Sequence, residues 1–284
     1  MCRAGATDLH IKVPGRPQVR VDGDLIPMPH ERLLPPDTAG FAQAVLQLAG
    51  VYDSAAGVRE SRLAFSIEGL GRFRAQVARQ RGTFEIVIHR MESNAPRVED
   101  FAGLEPIREV MQGPPGLVLI GGARKRRAVV AAIIREFNER AWGRLVSIED
   151  PIDWLHQDAR ASISQREVGT DVASFHEGLR QALRQDADAV AVTDVPGIDD
   201  ADAVLRAAEE GLHVFAGLPV GDAEDAVLAF VGRFAASRER EIAARTASVL
   251  RGVVVVGFDG TVQWIGVGAG RRAAMRSGEL SLMG

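Results

Sequence analysis

Three short stretches hold the residues that could do chemistry. Glu149 and Asp150 follow the apolar run RLVSI, and Asp194 follows AVAVT. Carboxylates at the mouth of a buried sheet can hold magnesium-bound water or accept a proton as a base. A structural reading competes: Asp150-Pro151 makes the turn out of the strand, and Glu149 pairs with a nearby arginine. The surrounding residues favour it modestly. The third stretch is GGARKRR, residues 121–127, which follows the apolar run GLVLI and leads into a helical pattern. A strand, a glycine turn and a helix start form a platform for phosphate, because free backbone N–H groups and the helix dipole converge there. Gly121, Gly122, Lys125, Arg126 and Arg127 are the candidate binding residues. Four cations at a helix N-terminus oppose its dipole by roughly 0.3 to 1 kcal/mol each when exposed, so they must be solvated or face an anion. A solvated basic turn and an altered phosphate site fit equally well.

Other chemistries are poorly supplied. Cys2 is the one cysteine, so no internal disulfide, thiol relay or cysteine-based zinc site can form. The six histidines, at 10, 30, 89, 156, 176 and 213, make no i, i+3 or i, i+4 pair, and no metal site is expected beyond magnesium on a nucleotide. Asp199, Asp200 and Asp202 read as charge complementing a helix N-terminus. A net charge of −4 argues against a general nucleic-acid binder.

Positioning these residues takes two different architectures. At about 150 residues per domain, 284 residues imply two domains. Apolar residues make up 46% of the chain and charged residues 25%, as in a folded protein, and no apolar run is long enough to span a membrane. The start, MCRAGATDLH, lacks a secretory signal, which predicts a cytoplasmic protein. Residues 7–28 give short extended runs with an Asp22-Gly23 hairpin turn, and an amphipathic helix follows from about Asp37 to Ala49. LAFSIEG, GRFRAQVARQ and FEIVIHR then alternate as three strands. This predicts an α+β domain over 1–95, a linker over 96–105, and a second domain over 106–284. In that second domain strands at 116–120, RLVSI, DAVAV and LHVFAGL alternate with helices, which predicts an α/β fold with a mainly parallel sheet. Ligands in such sheets sit at the carboxyl ends of the strands, so the loops after residues 120, 149, 193 and 217 are the places to look. RGVVVVGFDGTVQWIGV reads as a hairpin turning at Asp259-Gly260.

Several stretches resemble the type IV pilus retraction (twitching motility) ATPases, a PilT-like family within the type II/IV secretion ATPases. They are GATDLHIKVPGRPQVRVDGDL, FRAQVARQRG, PPGLVLI, VSIEDPIDW and SQREVGTDVASFHEGLRQALRQDAD, collinear over nearly the whole chain. The resemblance implies a PAS-like N-terminal domain and a RecA-like nucleotide-binding domain. It also implies ATP and magnesium as cofactors, a hexameric ring, a pilus platform protein of the inner membrane as partner, and a place at the cytoplasmic base of the pilus.

Departures from the family fall on its catalytic motifs. Aligned from both flanks, the phosphate loop is two residues short. Arg126 and Arg127 replace its lysine and serine, with Lys125 one place out of register. Asp194 stands where the family has a glutamate that orients the attacking water, and Pro196 and Gly197 replace an arginine and an aspartate. Leu212 and Pro219 replace two histidines, His213 reads as a core or sheet-face residue, and the C-terminal region after GRRAAMRSG is short. The expected function is therefore a member that has lost hydrolysis and acts as a structural or regulatory subunit. Two alternatives remain: a slow hexameric ATPase using Lys125, Glu149 and Asp194, or an anion or nucleotide sensor that does not hydrolyse. Arg74, Gln165, Arg166 and Glu167 match the family and are expected to be exposed, as an interface with an active paralogue requires.

Overall fold

The computed structural model describes all residues except 1, 3, 4, 93, 124, 222, 258, 278, 279 and 281–284. It divides into two units, Met1–Glu92 and Ser93–Gly284. In the first, strands β1 (Asp8–Ile11), β2 (Gln18–Val21) and β3 (Asp24–Pro27) precede helix α1 (Pro35–Leu48), and β4 (Glu60–Ile67), β5 (Gly71–Gln80) and β6 (Thr83–Arg90) follow it. They form one antiparallel sheet in the order β3-β2-β1-β6-β5-β4. Two of its turns are two residues long with both φ angles positive, at Asp22-Gly23 and Arg81-Gly82, which matches the right-handed twist of the strands they join. Alternation does the rest. Phe73, Ala75 and Val77 of β5 point inward with Phe65 and Ile86, and α1 covers them with Ala42, Val45 and Leu46.

The second unit follows the opposite logic. Its strands are β7 (Gly116–Gly122), β8 (Arg144–Glu149), β9 (Ser162–Glu167), β10 (Ala189–Val192), β11 (His213–Leu218), β12 (Leu250–Val256) and β13 (Val262–Gly266). The sheet order is β13-β12-β7-β11-β10-β8-β9, parallel throughout except for the β12–β13 hairpin. All of β7 is buried, with Leu117 and Leu119 on one face and Val118 and Ile120 on the other. Helices α2 (Ile107–Gln112) and α3 (Lys125–Arg140) cover the second face. The first face is covered by α4 (Phe175–Leu183), α5 (Ile198–Glu209), α6 (Ala223–Val231) and α7 (Glu239–Val249), and α8 (Ala269–Ser277) packs on α7. An α/β fold with an antiparallel N-terminal sheet and a mainly parallel second sheet is what the sequence pattern implied.

Four segments differ from the sequence reading. α2, β9 and α6 were not expected. Residues 96–105, read as a linker, pack into the second unit, where Val98 and Leu104 are fully buried beside Ile107 and α3. Two inward apolar residues among charges are too few to make a periodic signal.

Gly217 shows how tightly the carboxyl edge is built. A Cβ placed there would lie 2.3 Å from the Thr193 carbonyl oxygen, a backbone atom that cannot swing away. Gly217→Ala should cost about 1–3 kcal/mol by forcing β10 and β11 apart. Thermal melting followed by tryptophan fluorescence reads this in the second unit, because Trp142, Trp154 and Trp264 all lie there.

Candidate functional site

The loops after β7, β8 and β10 meet at the carboxyl edge of the parallel sheet. Gly122 has φ +141°, and a Cβ there would sit 3.0 Å from both Val256 Cβ and the Val256 carbonyl oxygen, so the turn out of β7 depends on glycine. Helix α3 starts at Lys125, and Arg126 lies in its first turn.

Arg126 turns back into the loop and is 8% exposed. Its Nη1 donates to the carbonyls of Gly122 (3.2 Å) and Ala123 (2.9 Å). Its Nε donates to the Thr193 carbonyl (3.2 Å) and its Nη2 to Asp194 Oδ2 (2.8 Å). Burial pushes the guanidinium below the usual arginine range, and the Asp194 charge pulls it back up. Asp194 commits its other oxygen to the Val195 N–H at 2.9 Å. The cation therefore faces an anion, but that anion belongs to the chain. A buried pair of this kind is stable only while both partners remain, since removing either leaves an uncompensated charge.

The other loop cations point elsewhere. Arg127 pairs with Asp153. Lys125 is exposed and its Nζ lies over Gly260, beside Asp259. Gly121 and Gly122 end β7, and among the candidate phosphate ligands Gly122 and Arg126 are joined in one cradle. Arg124, the fourth cation, lies outside the described residues.

Glu149 is fully buried at the end of β8. Its Oε1 accepts from the Ser147 hydroxyl (2.6 Å) and from Gln165 Nε2 (3.0 Å). No arginine hydrogen bond to it was found among the described residues, so the pairing expected from sequence gives way to neutral donors. Burial pushes its carboxyl up to about 7 against the opposing hydrogen bonds of Ser147 and Gln165, and the nearby Asp153 charge pushes the same way. Asp150 is exposed, and its backbone N–H donates to Thr193 Oγ1 at 3.1 Å. Thr193 thus ties the end of β8 to the Arg126 cradle through its two oxygens.

The polar residues of β9 need a correction. Glu167 is 4% exposed and accepts from the Ile152 N–H at 3.1 Å. Gln165 donates to the Trp154 carbonyl (2.8 Å) and accepts from the His156 N–H (2.8 Å), which pins the loop after β8. Arg166 donates to Gln181 and Gln185. Gln165 and Glu167 hold the site together from within, and Arg166 ties β9 to α4 and the residues after it. Ser147 and Thr193 were not picked out from the sequence, and Gln165 was picked out only as an exposed interface residue. The i, i+2 spacing of Ser147 and Glu149 on a strand was the available signal for the first. The others depend on register, Ser147 opposite Gln165 and Glu149 opposite Glu167. Asp199, Asp200 and Asp202 do sit at the start of α5: Asp200 accepts from the Gly197 and His176 N–H groups, and Asp202 pairs with Arg206.

Residues 89–250, more than half of the chain, match the family described as "Type II/IV secretion system protein". The chain belongs to this family. Among members of the type II/IV secretion family, the type IV pilus ATPase PilU of Pseudomonas aeruginosa is 30% identical over 277 residues, covering 97% of this chain and 71% of that protein. The type IV pilus retraction ATPase PilT of the same organism is 28% identical over 263 residues, covering 89% of this chain and 74% of that one. A crystal structure of the pilus retraction motor PilT with bound ADP superposes with a TM-score of 0.86 at 26% identity, covering 98% of this chain and 84% of that one. The PilT-like resemblance read from the sequence and the two-part fold both hold.

The buried Glu149 gives a pH signature. Unfolded, its carboxyl loses a proton near 4.5; folded, near 7. Between those values the unfolded chain binds fewer protons, so stability falls as pH rises through the window and levels off above it, by an amount on the order of 3 kcal/mol. Glu149→Gln should remove this fall. His156, pushed down to about 4 by burial, has a slope of opposite sign and is common to both proteins. Melting curves of wild type and variant from about pH 5 to about pH 8 give the difference, and parallel curves would show that Glu149 is ionised when folded.

Proposed function

We propose that this chain is a PilT-like subunit that has lost productive ATP hydrolysis and serves a structural or regulatory role in a type IV pilus or secretion machine, at its cytoplasmic base. The observation that carries this reading is the Arg126 side chain, which fills the loop and is neutralised by Asp194. Phosphoryl transfer depends on positioning and on cations aimed at the developing charge. Here the cation in the cradle already has its anion, and the carboxylate after β10 already has its cation. A nucleotide's β- and γ-phosphates do not fit the cradle unless Arg126 leaves it.

The slow-ATPase alternative needs Lys125, Glu149 and Asp194 to act together. Lys125 leans over the Asp259-Gly260 turn and Asp194 is held by Arg126, so the arrangement disfavours it. Among the described residues no helix is long and apolar enough to cross a membrane, and no cluster of His, Cys, Asp and Glu could hold a metal ion. The similarity to PilU extends over 97% of the chain, so it includes the N-terminal unit and not just the nucleotide half. This supports incorporation into a ring, alone or with an active homologue, next to a platform protein of the inner membrane.

Phosphate release from ATP by the purified chain should stay at background, as should release by its Arg126→Ala and Asp194→Ala variants. A wild-type rate well above background that collapses on Asp194→Ala would overturn the proposal. Titration with a fluorescent ATP analogue should give weak binding that falls steeply with salt and hardly changes with magnesium. Arg126→Ala should alter the affinity, since it empties the cradle. Tight, magnesium-dependent binding that persists at high salt would point to the ATPase. Gel filtration with and without a PilT-like homologue tests the ring: co-elution supports it, and a monomer in both runs excludes it.

A further inference from the structure

In the first unit, remote in sequence from the loops above, Lys12, Arg16 and Arg32 line one cavity of about 350 Å³. The remaining lining is Pro14, Gly15, Gln18 and Pro27, with no carboxylate. Backbone geometry brings the cations together. The Leu33 N–H donates to the Gly15 carbonyl at 2.7 Å in an isolated antiparallel bridge, which sets Arg16 and Arg32 on neighbouring strands of chain. The Met28 N–H donates to the Pro17 carbonyl at 2.8 Å, and Gln18 stands opposite Pro27 where β2 meets β3. Lys12 follows directly on β1, and its carbonyl lies 3.6 Å from where a Gly15 Cβ would be.

Several arginines elsewhere find an acidic partner within the chain: Arg20 with Asp8, Arg206 with Asp202, Arg238 with Glu241 and Arg245 with Glu209. Lys12, Arg16 and Arg32 have no hydrogen bond or ion pair among the described residues. Lys12, Arg16 and Arg32 are all exposed, so they repel as charges in water do, by about 1 kcal/mol per pair at 4 Å and by less farther apart. A dianion removes that repulsion. We propose that this cavity binds a phosphate group, with Arg16 and Arg32 as forked donors, Lys12 as a point charge and the Gln18 amide as a neutral donor. Three cations match a doubly charged phosphate better than a single carboxylate. The phosphate is carried either by a small molecule or by a phospholipid headgroup; Leu25, exposed on the adjacent strand β3, is compatible with the second.

The test uses the full chain and two double variants of equal charge change. Arg16→Glu with Arg32→Glu alters the cavity, and Arg59→Glu with Arg81→Asp alters exposed arginines of the same unit outside it. Calorimetry with inorganic phosphate and pyrophosphate forms one arm. The other is sedimentation with phosphatidylcholine vesicles, with and without phosphatidic acid, whose phosphomonoester headgroup can carry two charges. In at least one arm the wild type should bind and the cavity variant should bind about tenfold or more weakly, with the control variant close to wild type. Loss in the calorimetric arm identifies a soluble phosphate compound, and loss in the vesicle arm alone identifies a headgroup. Absence of wild-type binding in both arms, or equal effects of the two variants, overturns the proposal.

Discussion

At the carboxyl edge of the second unit's sheet a buried guanidinium is held by three backbone carbonyls and one carboxylate. Arg126 starts in the first turn of α3, reaches back to the glycine turn that ends β7, and crosses to the end of β10. That one side chain fixes where three segments sit. It also resolves an electrostatic problem, since a cation at a helix N-terminus is unfavourable unless an anion answers it. Asp194 answers it from a position 68 residues away in the chain. The charge of this guanidinium and the space it fills serve internal cohesion.

Around that contact the carboxyl edge is a polar layer enclosed by apolar ones. Thr193 bonds to the loop after β8 through its hydroxyl and to Arg126 through its carbonyl, and Gly217 approaches so closely that no side chain fits between. On the α3 side, Ser147, Glu149, Gln165 and Glu167 share one face of β8 and β9. Each buried polar group finds partners there, the condition under which such a network gives rigidity instead of strain.

Regular alternation and strand–helix succession made most of the fold legible in the sequence. β1 to β6, β7, β8, β10, β11 and the β12–β13 hairpin follow from patterns of two or from short buried runs. β9 was hidden because Gln165, Arg166 and Glu167 look like surface residues, and only the parallel register with β8 supplies their partners. The site was legible as a set of places more than as a set of roles. The loops after residues 120, 149 and 193 do meet, and Glu149, Asp194 and Arg126 do lie in them. What residue types could not reveal was pairing: Arg126 with Asp194, Glu149 with Ser147 and Gln165, Arg127 with Asp153. These contacts join segments far apart in sequence, and local spacing carries no trace of them.

The strand order of the first sheet bears on how the chain leaves the ribosome. β1 is hydrogen-bonded to β2 on one side and to β6 on the other, with Asp8 opposite His89 and their side chains joined at 2.9 Å. The β1–β2–β3 meander can pair as soon as it emerges, but its inner edge stays open until the β4–β5–β6 meander has been synthesised. Closure of the sheet is thus a late, long-range step between two locally folded halves. Until it happens, α1 has only part of the apolar surface it covers in the finished unit, and β1 presents an unpaired edge to its surroundings.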